Sequence, residues 1–351
     1  MNRLLTQIAI LLLAAPALAA ADARSYSTLN VSILVFDPGV PADQALHRDL
    51  QIYPRIRQIE ALFLPFALRE SLVKTNQWGA VRVVPEPDPA AELMVAGTIV
   101  RSDGDSLELR IVAVDATGRV WVDQRFAGII IDEYARGDSA SASSGYQKLY
   151  DEIAVSLLAA RSGLDDRALQ GIVDVSMLRY ASELAPSAFA DYLAQSPDGT
   201  FTVKRLPATD DPMLERIERI RSTEYVITDA VDQKFQQLHA EIASVYDLWR
   251  EHRRKVVKYQ TEDAQRVQTS TSDEPRGSFY AMKSQYDNYK WEKMMTQEQD
   301  RLAVAFNNEV GTKVMAMEAR VAELAGWVDQ ESREWQRILE ELFEVETGFR
   351  Q

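Results

Sequence analysis

Apolar positions recur at alternating steps of four and three through Val231, Phe235, Leu238, Ile242, Val245, Trp249, His252, Val256 and Tyr259. A second series runs Val310, Val314, Met317, Val321, Leu324, Val328, Glu331, Trp335, Ile338, Leu342 and Val345. A seam this regular, held over so many turns, demands long helices wound against an apolar partner. The polar residues 261–277 between the two series predict a reversal. The C-terminal part, 209–348, is therefore expected to be a long antiparallel helical hairpin. A dimeric coiled coil would use the same seams, but two seams in one chain favour the intramolecular pairing. Glu331 interrupts the second seam, where a polar residue fixes register or marks helices that diverge.

The chain starts with Met1-Asn2-Arg3, an apolar stretch from Ile8 to Ala15, then Pro16 and Ala17-Leu18-Ala19-Ala20. This order predicts a secretory signal peptide over 1–20. The apolar stretch is short for a bilayer span, so no stable membrane insertion is expected after cleavage. The chain has no Cys, which excludes lipid attachment at a Cys and any disulfide. An Ala-rich signal points to a periplasmic protein. A net charge of −14 offers no counterion release on nucleic acid and no general attraction to anionic lipid. The local basic group Arg250, Arg253, Arg254, Lys255 and Lys258 reads as a solvated helix face.

Between these ends the pattern changes twice. Residues 28–36 read as a strand, and 48–76 as a helix with Pro65 as a kink point. Ala80–Val84 reads as a short strand. Three further strands follow, divided by the Ser102-Asp103-Gly104-Asp105 and Asp115-Ala116-Thr117-Gly118 turns. The order β-α-β-β-β-β predicts an α+β fold: a small sandwich domain over 26–132 with one long helix on its sheet. A small, polar linker is expected over 133–145 and short helices over 146–208, with no further strand pair. Asp210-Asp211-Pro212 signals the start of the long helix.

Little here points to chemistry. His47, His239 and His252 are the only histidines, and none has a second ligand at metal spacing, so no metal or cofactor is expected. There is no nucleophile elbow and no phosphate-binding Gly loop. Arg136-Gly137-Asp138 is a chance tripeptide. Aromatic residues gather around the expected tip of the hairpin: Tyr246, Trp249, Tyr259, Tyr280, Tyr286, Tyr289 and Trp291. Such residues serve either as core packing or as anchors for a partner. Tyr259, Tyr280, Tyr286, Tyr289 and Trp291 are the candidate partner-binding residues.

Trp78-Gly79-Ala80-Val81-Arg82-Val83-Val84-Pro85, Val95-Ala96-Gly97-Thr98-Ile99 and the stretch from Leu109 through Asp115-Ala116-Thr117-Gly118 to Trp121 carry a resemblance. Over about 28–130 the chain resembles the envelope α/β domain of CsgG-type curli-secretion proteins, LpoB-type activators of penicillin-binding proteins and the TolB N-terminal domain. It departs from them in lacking the lipid-attachment Cys and the propeller repeats. The whole chain resembles a bacterial exported protein. The resemblance implies binding and assembly at the envelope and carries over no functional residue.

These readings predict a non-enzymatic periplasmic adaptor or scaffold with an envelope protein partner and scope for self-association. An activator of a cell-wall synthesis enzyme is the second expectation, and a hydrolase with dispersed carboxylates the third.

Overall fold

The computed structural model describes residues 28–49, 52–88, 90–104, 106–129, 146–208 and 211–270, and single helical positions between 283 and 337. The expected signal peptide, the expected 133–145 linker, Tyr280 and Trp291 lie outside the described residues.

Five strands form one sheet: β1 (Val31–Leu34), β2 (Val81–Val84), β3 (Leu93–Ser102), β4 (Ser106–Asp115) and β5 (Val120–Ile129). Their order is β2-β1-β3-β4-β5. β1 is parallel to both β2 and β3, and the rest is the antiparallel meander expected from the two turns. After a short helix α1 (Gln44–Asp49), helix α2 (Pro54–Lys74) supplies the crossover that parallel neighbours require. Sequence patterning merged these two helices into one element. Pro54 opens α2, where its missing N–H costs nothing, and the helix continues past Pro65. Strand alternation sends Leu93, Val95, Ile99, Leu107, Leu109, Ile111 and Ala113 into a dry core with α2. Met94, Ala96, Thr98, Val112 and Val114 on the other face are only half-buried.

More than one helix covers the core face. α3 (Gln147–Ser162) packs on β5 and α2 through Leu149, Tyr150, Ile153 and Leu157. α2 is consequently apolar on nearly every side, as a helix held between a sheet and other helices must be. α4 (Asp166–Leu184) starts at Asp165, whose carboxylate accepts the Ala168 N–H at 2.8 Å. After α5 (Pro186–Phe189), β6 (Leu193–Gln195) pairs with β7 (Phe201–Val203). That hairpin corrects the expectation of no further strand pair. Its three-residue strands are too short to show a period of two.

The last element, α6 (Pro212–Ser270), is one helix of 59 residues. It runs through 261–270, the first part of the predicted reversal, so polarity alone did not break it. Residues 271–277 lie outside the described residues. The first seam does not project from the sandwich over its N-terminal half. Val231, Phe235, Leu238, Tyr246 and Trp249 join the same core as α2 and the sheet. The buried stripe also advances beyond the heptad, taking Tyr246, Arg250 and Arg253. A straight helix drifts by about 20° per heptad against a strict 3.5-residue repeat. Over 231–249 the first seam therefore lies on the globular core, and its expected pairing with the second seam falls on side chains outside the described residues.

Candidate functional site

Helix α6 is fastened to the sandwich at three buried polar stations. Near its start, Arg221 donates to the Ala90 carbonyl and to Ser176 Oγ, both at 2.8 Å. Its guanidinium lies over Tyr180 at 5.2 Å and Tyr225 at 5.4 Å. Glu224 sits here too, and burial pushes its carboxyl above the usual range.

At the second station, the Val83 N–H on the sheet's β2 edge donates to Asp232 Oδ1 at 2.8 Å. Arg69 from α2 pairs with the same carboxylate at 3.1 Å. Arg82 and Asp229 form a more exposed pair beside it. A helix carboxylate thus takes the place of a neighbouring strand's carbonyl.

The third station is the most enclosed. Glu60, on the apolar stripe of α2, is fully buried. Its Oε1 accepts from Tyr246 of α6 at 2.9 Å and from Ser102 of β3. Arg57 Nε lies 3.8 Å from Oε2, and Arg57 also donates to the Ile99 carbonyl at 3.0 Å. Desolvation raises the Glu60 carboxyl above its ordinary range, against the opposing pull of Ser102, Arg57, Tyr246 and Arg250. The β3–β4 turn approaches so closely here that a Cβ on Gly104 (φ +92°) would sit 2.3 Å from Arg253 Cβ.

Arg250 and Arg253 correct the reading of their basic group as a solvated face. Both are buried. Arg250 lies 4.8 Å over the Tyr146 ring, and Arg253 stacks 4.9 Å over Tyr53 while donating to its hydroxyl at 3.0 Å. A planar guanidinium tolerates such stacking where a solvated ammonium would not. Two turns back from Tyr246, the His239 ring stacks on Phe63 at 4.2 Å. Burial drives its pKa down to about 4, so the ring is neutral at pH 7.

A separate cleft lies at the far end of the sheet. Two adjoining cavities of about 330 Å³ each share Arg179, Gln195 and Phe201 as walls. Arg179 donates to the Ala116 carbonyl at 2.8 Å and lies 4.4 Å over Phe201. Desolvation lowers its pKa from the usual arginine value. Asp115, also on this wall, is spent on its own turn, accepting from Thr117 and from Trp121 Nε1 at 2.8 Å. The Asp, Thr-Gly and Trp of the resemblance are thus one hydrogen-bonded turn.

The structure divides the aromatic residues expected to gather at one tip. Tyr246 and Trp249 are core residues. Tyr286 and Tyr289 are helical and exposed, at 65% and 61%. Tyr259 lies on α6, and its side chain is outside the described residues. Further on, the described positions Met315, Ala316, Ala319, Glu323, Gly326, Gln330 and Arg337 are exposed and fall between the seam positions.

Sequence reasoning missed Glu60 and Arg57, and with them the hydrogen bond that Tyr246 donates to Glu60. The available signal was Arg57 and Glu60 inside the apolar run Ile56 to Leu68, with Glu60 one turn from both Ile56 and Phe63. Among the described residues no cluster of three or more metal-ligating side chains occurs, and no helix is long and apolar enough to cross a membrane. No protein-family model, curated protein or solved structure matches the chain.

Proposed function

We propose that this chain is a non-enzymatic adaptor of the bacterial cell envelope. It would be exported to the periplasm and use its C-terminal helices to hold a protein partner. The observation that carries this reading is α6 itself. Its last described buried side chain is Arg253, yet the helix continues to Ser270, roughly 25 Å further at 1.5 Å per residue. Core packing and three buried polar stations fix the first part, so the continuation has a rigid base. Tyr286 and Tyr289 add exposed aromatic surface beyond it.

The polar groups that could do chemistry serve that base. Glu60 has no exposed surface and is covered by α6, so a substrate would have to displace the helix to reach it. The adaptor reading therefore asks less of the molecule than a hydrolase with dispersed carboxylates.

In-cell photocrosslinking tests this. A photoreactive residue placed at Tyr286 or Tyr289 should yield a discrete heterologous adduct. The same residue at Val226, equally exposed but on the anchored part of α6, should not. An exported, folded protein that gives no heterologous adduct at either tyrosine would sink the proposal.

A further inference from the structure

The two edges of the sheet are treated differently by the chain. The β2 edge lies under α6, and Asp232 takes its Val83 N–H. β5, at the other edge, is ten residues long and, among the described residues, pairs only with β4. Three consecutive β5 residues, Asp123, Gln124 and Arg125, are all exposed. Successive strand residues point to opposite faces. Exposure of all three means that the strand is open to solvent on both sides, despite α3 nearby. A long open edge is a template for another strand.

We infer that this edge binds the same edge of a second copy, forming one ten-stranded sheet across a two-fold axis at Gln124. Charge selects both the occupant and the register. In an antiparallel pair, directly opposed residues share a face, so the axis must pass through a residue. At Asp123 it would oppose two aspartates, and at Arg125 two arginines. At Gln124 each Asp123 faces Arg125 of the second copy, twice over. Val122 then faces Phe126 of the second copy on the core side.

The charges are already held in place for this. Arg110 grips Asp123 through two hydrogen bonds at 2.9 and 3.0 Å, and Arg125 lies 3.4 Å from Glu108. Association extends them into an alternating row: Glu108, Arg125, then Asp123 and Arg110 of the second copy. Edge strands are commonly protected by charge, but a single sign would repel a second copy at every register. Opposite signs two residues apart disfavour the two neighbouring registers and favour the one centred on Gln124. Exposed charge pairs add little affinity but discriminate strongly between registers.

α3 supports the same axis. Gln124 donates to Ser156 Oγ at 3.4 Å, which places α3 beside the proposed two-fold. Its neighbour Val155 is 64% exposed. Two copies would bring two α3 helices together on the core side, with Val155 available to be covered.

Sedimentation of the full mature chain, with circular dichroism as a check on folding, tests the inference. The wild-type chain should be dimeric at micromolar concentration. Arg125→Asp should weaken the dimer on the order of tenfold to a hundredfold by opposing like charges at two places. Asp123→Arg should do the same, and the double exchange should restore the dimer. The chain is free of cysteine, so Gln124→Cys should form a disulfide between copies on mild oxidation, whereas Ile129→Cys should not. A monomeric wild-type chain, a β5 edge that captures only an extended segment of another protein, or a dimer indifferent to Arg125→Asp would each overturn it. The last result would assign self-association to the helical seams.

Discussion

β2 and β5 border the same sheet and meet opposite fates. β2 has four residues and lies under a helix of 59, while β5 has ten and, among the described residues, pairs on one side only. A helix cannot continue a strand's hydrogen-bond ladder. α6 closes the β2 edge with side chains instead: Asp232 receives the strand's N–H, and Arg69 neutralises the carboxylate. That device suits a short edge, where few backbone groups need partners. Along ten residues it would require a polar side chain at every second position, and the hydrogen bond that α3 makes to β5 through Ser156 goes to the Gln124 side chain rather than to the strand's backbone. The chain therefore closes its short edge itself, while the long edge has no comparable cover among the described residues.

The largest test removes the helix that covers β2. Trp249 is 2% exposed and packs in the shared core beside Tyr246 at 5.7 Å. Trp249→Ala should cost about 3–5 kcal/mol in urea unfolding, through lost burial and the remaining cavity. Amide exchange should accelerate along α6 before the centre of the sheet opens. If β5 responds before α6, the two edges are not independent and the comparison fails.

Asp232→Ala is more local. It strands the Val83 N–H and removes the ion pair of Arg69, which keeps its bond to the Val81 carbonyl, and should cost about 2–3 kcal/mol. The Val83 amide should lose exchange protection, with Gln124 unchanged. Asp232→Asn should lose less, because an amide oxygen can still accept from Val83.

The cover on β2 should also respond to pH, from two groups of opposite sign. The Glu60 pKa is raised from 4.5 by desolvation. The folded state therefore holds its proton more tightly than the unfolded chain. That contribution is full below pH 4.5 and is lost as pH rises through the raised value. His239 is lowered from 6.5 to about 4 by burial. Its contribution is full above 6.5 and is lost as pH falls through 4. Glu60→Gln should flatten the fall in stability on the alkaline side of 4.5. His239→Leu should reduce the loss between 6.5 and 4. Glu224 and Asp232 are also raised by burial, so the difference between variant and wild-type curves is the informative quantity. Identical curves would show that neither group carries a shifted proton.

Much of this architecture is legible in the sequence, and the omissions have physical causes. The β3-β4-β5 meander followed from turns and alternation, because Gly104 and Gly118 occupy positions with positive φ where other residues are strained; the place of β1 between β2 and β3 did not. The start of α6 followed from Asp211 and Pro212, and Asp211 Oδ1 does accept the Met213 N–H at 2.9 Å. Its neighbour did not follow. An apolar stripe records that a helix is buried but not against what, and Phe63 lies far from His239 and Tyr246 in sequence. Glu60 was hidden for the same reason: its partners Ser102 and Tyr246 come from a strand and a helix that meet only after folding. The seam residues beyond Arg254 whose side chains are undescribed keep their expected roles as proposals.

The smallest expected effect gives the sharpest test of the contrast between edges. Gln124→Ala deletes a helix-to-strand contact at the other edge, between side chains, where Asp232→Ala deletes one made to the strand's backbone. The Gln124 contact is 3.4 Å long, exposed and formed between neutral groups, whereas the Asp232 contact is 2.8 Å, buried and charged. Water replaces the partner of an exposed group but cannot reach a buried one, so the cost of deletion follows burial rather than geometry. Gln124→Ala should therefore change stability by no more than about 0.5 kcal/mol at a concentration where the chain is monomeric. A cost near that of Asp232→Ala in the monomer would mean that α3 already closes the β5 edge. The edge would then be unavailable to a second copy, and the two sides of the sheet would differ only in which helix covers them.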